Sequence, residues 1–286
     1  MSVQQWKCKD SILHIGQRSL VMGIVNITPD SFSDGGLYLE TDAAVAHALQ
    51  LVHEGADLID IGGESSRPGA DTIPCELELQ RVIPTIRALA QQTQVPISVD
   101  TTKAEVARQA LRAGAQIVND ITGLQDLEMR HVVREYGAGV ILMHMQGNPR
   151  TMQINPCYDN LFSQIEDFFC ERMNMAQAAG ISTDQICLDP GLGFGKNHEH
   201  NYMLLRNLRY FQKLGRPVCL GVSRKGFIGT VTGRPRPERL AGSLALACHA
   251  LADKAAQILR VHDVAAHRDA VLIMEALAGA GLPAER

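Results

Sequence analysis

The sequence predicts an α/β protein: a closed (β/α)8 TIM barrel in a single domain, residues 1–286, with a short N-terminal hairpin. Short apolar runs recur along the chain, each ending in a polar residue or glycine: "VMGIVN", "DLIDIGG", "PISVD", "QIVND", "GVILMH", "ICLDPG", "PVCLGVS" and "QILRVH". Between them lie segments of helical period, such as Ala44, Ala48 and Leu51 on one face after Thr41, and Leu79, Ile83, Ile86 and Ala90 on another. The 286-residue length suits about eight such units in one barrel. Strands that alternate with helices imply a parallel sheet, and near-continuous apolar strands imply cover on both sheet faces. A doubly wound open sheet is the runner-up.

Taken in order, residues 1–20 precede the first barrel strand and suit a hairpin under the barrel, with the barrel proper spanning about 20–280. The first strand runs through Val21, Met22, Ile24 and Val25 to Asn26, then enters the turn-rich stretch "ITPDSFSDGG". No linker, low-complexity tract or composition break interrupts the strand–helix alternation.

Composition limits the function. Lys and Arg number 27 against 31 Asp and Glu, a net charge of −4, so no general basic field draws nucleic acid or anionic membrane. No run reaches the roughly 18 apolar residues of a membrane span, and the N-terminus carries no continuous apolar core of a signal peptide. A cytoplasmic protein is expected. Seven cysteines without a CxxC pair suggest neither a disulfide framework nor a zinc site. They read as reduced, mostly buried thiols.

Barrel geometry turns position into chemistry, because active sites occupy the C-terminal strand ends and the loops that follow. Those ends read Asn26, Glu64 to Arg67, Asp100, Asn119, His144, Asp189, Arg224 with Lys225, and Arg260 with His262. Acids and amides sit on one set of strands. Cations follow others, and loops after the seventh and eighth strands frequently hold phosphate, so Lys225, Arg260 and His262 fit an anion pocket. A ligand with two different ends is implied. Arg260 and His262 share a strand face, with Val261 on the other.

Asp100, Asn119 and Asp189 suit a flat heterocycle rich in N–H donors, with Met143, Ile121 and Phe194 as apolar walls. A magnesium cage is the competing reading. "GLGFGKN" resembles a P-loop at a glance but fails its spacing, with Asn197 where Ser or Thr would contact metal. Gly193 and Gly195 there would let backbone pass close to a ligand. His198 and His200 read as surface histidines rather than metal ligands. "HMQGNPRTM" reads either as rim or as spacer.

The stretches "MGIVNITPDSFSDGG", "GGESSRPGA", "SVDTTK", "NDITG", "LMHMQGNPRTMQ", "LDPGLGFGK", "GVSRKGFIG", "ERLAGSLA" and "LRVHDV" together resemble the dihydropteroate synthase family, folate-pathway enzymes targeted by sulfonamides. The resemblance spans nearly the whole chain. It implies a (β/α)8 barrel and a transferase joining 7,8-dihydropterin-6-ylmethyl diphosphate to 4-aminobenzoate, releasing pyrophosphate. By that resemblance Asp100, Asn119, Asp189 and Lys225 would bind the pterin, with Ile121, Met143, Phe194 and Gly221 around its ring. Ser66, Arg67, Arg260 and His262 would take the diphosphate, and Asn26 would complete a Mg2+ site. A turn-capping amide is the alternative for Asn26.

The loops of Thr28 to Gly36 and Ser65 to Asp71 resemble the family's mobile cover. Within it Asp34 would sit near a developing positive charge, and Phe32 and Pro68 would pack the aminobenzoate ring. Asp34, Asp100, Lys225 and Arg67 are the expected catalytic residues. The aminobenzoate carboxylate would lie near Ser223, Lys225 and Gly226, where a helix starts. Two departures stand out: Gly226 replaces the serine many members place after the lysine, and Ser66 replaces the more frequent threonine. A homodimer is implied by the resemblance alone. The readings kept beside this one are a non-catalytic pterin-binding paralogue and a pterin-dependent methyltransferase domain.

Overall fold

A computed structural model describes residues 4–16, 18–28 and 36–279. Eight parallel strands form the barrel: β3 (Leu20–Asn26), β4 (Leu58–Gly62), β5 (Ile97–Asp100), β6 (Ile117–Asp120), β7 (Gly139–Met143), β8 (Ile186–Asp189), β9 (Cys219–Leu220) and β10 (Ile258–Val261). They pair in the order β8-β7-β6-β5-β4-β3-β10-β9. The seam between β8 and β9 is narrow, bridged in parallel at Leu188 and Val218, with the Leu188 N–H donating to Pro217 O at 2.9 Å.

Each predicted apolar run forms a barrel strand, and the two-residue period sorts its side chains. Val21, Val25, Ile59, Ile61, Val99, Val118, Val140 and Leu142 point outward into the layer of helices. Met22, Leu58, Ile117, Ile141, Cys187, Cys219 and Ile258 point inward and form a separate apolar layer low in the barrel. That layer is closed from below by the antiparallel hairpin of β1 (Gln4–Cys8) and β2 (Ser11–Ile15), which adds Trp6, Cys8 and Ile15. The Trp6 indole donates to Gln185 O at 2.8 Å. At Gly139 a Cβ would lie 2.5 Å from Cys8 Sγ, so this glycine is required by the hairpin that packs on it.

The outer layer comprises α1 (Gly36–His53), α2 (Cys75–Ala90), α3 (Ala104–Ala113), α4 (Leu127–Tyr136), α5 (Leu161–Ala178), α6 (His198–Arg206), α8 (Leu240–Ala252) and α9 (Val264–Leu277), with the short α7 (Gly226–Thr232) before α8. Helix α1 begins at Gly36, ahead of the start expected after Thr41, and Ala44, Ala48 and Leu51 form its buried face as anticipated. Capping sets several starts: Asp126 accepts from the Glu128 N–H and Asn160 from the Ser163 N–H. All seven cysteines are free thiols, with Cys8, Cys187 and Cys219 buried and Cys157 exposed. Among the described residues no helix is long and apolar enough to cross a membrane.

Candidate active site

Two residues beyond the apolar layer, the same inward parity turns polar. Asp60 on β4, Asn119 on β6, Asp189 on β8 and Arg260 on β10 occupy that level, and β5 adds Ser98 and, two residues further on, Asp100. Asp60 is fully buried, and its Oδ2 accepts from Arg260 Nε at 2.6 Å and from Asn119 Nδ2 at 3.0 Å. Arg260 also reaches Asp100, with Nη2 at 2.7 Å from Oδ2. A buried guanidinium is therefore shared between two carboxylates. Burial pushes the Asp100 carboxyl up to about 7, Arg260 opposes that shift, and the nearby Asp60 adds to it. Sequence reading missed Asp60 because it sits inside the apolar run "DLIDIGG"; the inward parity it shares with Leu58 is the signal that identifies it.

Above this level lies a cavity of about 550 Å³, bounded by the strand ends and their loops. Of the predicted site residues, Asn26, Ser66, Arg67, Pro68, Asp100, Phe194, Gly221, Ser223, Lys225, Gly226, Arg260 and His262 line it together. Asn119, Ile121, Met143 and Asp189 are not among its lining residues; all four are buried at or just past the C-terminal strand ends, with Asn119 paired in register with Asp100. Phe32 and Asp34 lie outside the described residues.

Asp189 is held by the turn after β8, where its Oδ1 accepts from the Gly191 N–H at 2.7 Å. Burial raises its carboxyl, opposed by that N–H and by Lys225. Gly191 has φ +68, and a Cβ there would lie 2.0 Å from His144 O, so only glycine lets the turn press against β7. Lys225 extends over the Phe194 ring at 4.5 Å and donates to Leu192 O at 2.7 Å. Burial pushes its amine down to about 8, with Asp189 opposing.

The apparent P-loop has a different role. Lys196 is buried and donates to Phe194 O at 2.9 Å and to His144 Nδ1 at 2.9 Å. Burial drives its amine well below the ordinary lysine value, and burial followed by Lys196 lowers His144 to about 2. His144, expected among the functional strand ends, is thus a neutral acceptor that anchors the glycine loop. "HMQGNPRTM" resolves as rim: its Met152 lines the cavity, as does the next residue, Gln153, which donates to Gly193 O at 2.7 Å, and Pro149 O accepts from the Gly69 N–H at 3.0 Å.

At the opposite wall His262 Nδ1 pairs with Ser223 Oγ at 2.9 Å, and that Oγ also accepts the His262 backbone N–H at 3.1 Å. Ser223 therefore supports His262 as well as facing the cavity. Burial lowers His262 to about 3, aided by Arg260, Arg236 and Arg224, leaving a neutral ring. Asn26, at the end of β3, has no side-chain hydrogen bond among the described residues, so its amide is available to the cavity.

The loop after β4 is fixed by an ion cluster that sequence reading also missed. Lys103 Nζ bonds to Glu64 and, at 2.5 Å, to the buried Glu78 Oε2. Glu64 Oε2 further accepts from the Ile73 N–H at 3.3 Å, tying both ends of the 64–73 loop.

The family profile described as "Pterin binding enzyme" matches residues 22–262. The chain is 48% identical over 256 residues to a dihydropteroate synthase of Escherichia coli, covering 90% of each chain. The chain belongs to the dihydropteroate synthase family. Among solved structures of that family, the Xanthomonas albilineans dihydropteroate synthase with 4-aminobenzoic acid superposes with a TM-score of 0.91 at 46% identity, covering 99% of this chain and 100% of that one. The Burkholderia cenocepacia dihydropteroate synthase complexed with 7,8-dihydropteroate superposes with a TM-score of 0.87 at 41% identity, over 97% and 98% of the two chains.

Proposed function

We propose that this dihydropteroate synthase condenses 7,8-dihydropterin-6-ylmethyl diphosphate with 4-aminobenzoate, giving 7,8-dihydropteroate and pyrophosphate. The observation that carries the reading is a single cavity whose floor presents Asp100 and whose walls present Lys225, Arg260 and His262. Asp100, Asn119 and Asp189 accept the pterin N–H groups, and Phe194 and Met143 flank its ring. Lys225 adds a cation beside the ring. Arg260, neutral His262, Ser66 and Arg67 hold the diphosphate.

The diphosphate leaves the exocyclic methylene before or as the weakly nucleophilic aniline nitrogen attacks. The cations stabilise the departing charge, and the electron-rich dihydropterin spreads the charge left behind. The attacking nitrogen then loses one of its two protons, to the released pyrophosphate or to water, as the C–N bond completes. Asp34, Phe32 and the 65–71 loop complete the water-excluding cover in this reading, with Pro68 against the aminobenzoate ring. Asn26 would hold Mg2+ together with diphosphate oxygens and waters, an arrangement that suits an unpaired neutral amide oxygen at the cavity wall. When bound, that ion neutralises charge on the leaving group.

A cytoplasmic location and a homodimer complete the proposal. The dimer draws support from Leu272, Ile273 and Leu277, exposed by 45%, 62% and 76% on α9.

Incubation of the purified protein with the pterin diphosphate, Mg2+ and 4-aminobenzoate tests the function. Stoichiometric pyrophosphate and dihydropteroate, the latter identified by mass, are expected; pterin binding without either product contradicts it. Positional isotope exchange in the diphosphate without aminobenzoate tests early departure, and light scattering on a sizing column tests the dimer.

A further inference from the structure

Gly226 lines the cavity next to Lys225, at the start of α7. The backbone does not demand glycine there: a Cβ on Gly226 would meet nothing within 4 Å. The missing side chain therefore leaves open space at the cavity wall. Helix α7, which starts at this residue, is only seven residues long. So short a helix gathers little dipole, and recognition of an anion beside Gly226 falls to a side chain.

Arginines crowd this part of the wall, and their commitments differ. Arg224 is taken by Asp263, with Nε 3.0 Å from Oδ2 and Nη2 2.5 Å from Oδ1. Arg239 donates to the Arg234 carbonyl at 2.9 Å and the Lys225 carbonyl at 3.3 Å. It is seated over Gly229, where a Cβ would lie 2.2 Å from its Nη2. Arg236 lines the same cavity as Gly226 and is half-buried, and its guanidinium has no hydrogen bond or ion pair among the described residues. Burial lowers its pKa, and Arg67, Arg224 and Arg239 lower it further, so its surroundings favour an incoming anion.

We infer that Arg236 is the residue that binds the carboxylate of the aminobenzoate substrate, with the open space beside Gly226 left for the substrate itself. A guanidinium offers the carboxylate two parallel N–H donors, a stronger and more directional contact than one hydroxyl. The inference rests on the proposed condensation and specifies its second substrate. Arg260 and His262 sit on and just beyond β10 and serve the diphosphate in that reading, whereas Arg236 belongs to the otherwise largely exposed segment 233–238. Of that segment only Arg236 lines the cavity, so a carboxylate pointing outward from the site would meet its guanidinium first.

Steady-state kinetics of wild type, Arg236→Gln, Arg236→Lys and Arg236→Gln/Gly226→Ser, with 4-aminobenzoate and with neutral 4-aminobenzamide, test it. Arg236→Gln is expected to raise the KM for 4-aminobenzoate about tenfold or more, to leave the KM for the pterin diphosphate within about twofold, and to shrink the preference for acid over amide. Arg236→Lys keeps part of that preference, and Gly226→Ser restores part of it in the Gln background. Circular dichroism melting of each variant separates lost contact from lost fold. An unchanged acid-to-amide preference in folded Arg236→Gln overturns the assignment, as does a rise confined to the pterin diphosphate KM. Absence of turnover by the wild type with both substrates overturns the proposed condensation itself.

Discussion

Asp60 and Arg260 meet across the inside of the barrel, Oδ2 to Nε at 2.6 Å, from strands that flank β3 on either side. Asp60 is fully buried and makes no contact with the cavity, so its role is to hold Arg260 and, through the same oxygen, the Asn119 amide. Asp60→Ala strands a buried guanidinium and is expected to cost about 3–5 kcal/mol, read from the urea midpoint. Asp60→Asn retains an acceptor and costs less. An Asp60→Ala midpoint equal to that of wild type would show that Asp100 alone suffices for Arg260.

The pH dependence has two opposite signs. Asp100 is pushed by burial up to about 7 from an ordinary 3.8. A carboxyl raised on folding contributes stability that is full below the unfolded value and is lost as pH rises through about 7. Ligand-free stability from this group therefore falls with pH. Pterin affinity does the reverse, because the ring N–H groups need the carboxylate: it climbs by up to about tenfold per unit and levels off above about 7. Lys225, lowered by burial to about 8, loses its charge above that point, so affinity for the pterin diphosphate declines again. Titration calorimetry between pH 5.5 and 9, repeated with Asp100→Asn, checks this; a lower limb that survives in Asp100→Asn assigns it to another group.

Much of the fold was legible because a parallel barrel writes each strand as an apolar run and each site residue at its end. Depth was not. Asn119, Ile121, Met143 and Asp189 share the inward parity of the site, yet they are buried and outside the cavity lining, and alternation says which face a residue takes but not whether open space reaches it. Asp60 was hidden by its apolar neighbours, and Lys196 by a chance likeness to a phosphate loop. Lys103 and its two acids come from two neighbouring strand–helix units, with the acids 14 positions apart and 25 from Glu78 to Lys103, a juxtaposition no local spacing records.

That cluster gives the next prediction. Glu78 is 1% exposed and faces Lys103, whose ammonium is disfavoured by burial but held charged by Glu64 and Glu78. Lys103→Met leaves the Glu78 carboxylate buried without its cation and is expected to lower stability by about 3 kcal/mol. Glu64→Gln spares the buried pair but weakens the tether of the loop carrying Ser66, Arg67 and Pro68, so it should raise substrate KM with a smaller change in melting. The two variants are compared by thermal melting and steady-state kinetics. Equal losses of stability in both would remove the distinction between buried pair and loop tether.

The hairpin under the barrel separates stability from catalysis. Trp6 is fully buried against the inward apolar layer and is the single tryptophan of the chain. Trp6→Ala removes the largest side chain of that layer and its hydrogen bond to Gln185 O, an expected cost of about 3–5 kcal/mol. Trp6→Phe keeps most of the volume but leaves the Gln185 carbonyl without its donor, a cost of about 1 kcal/mol. Because the polar layer lies between the hairpin and the cavity, kcat/KM measured well below the melting temperature should stay within about twofold of wild type for both. Unfolding is followed by circular dichroism, since the variants lose the indole. A large fall in kcat/KM at a temperature where Trp6→Ala is fully folded would show that the lower layer sets the geometry of the acids above it, and that the barrel floor cannot be treated as support alone.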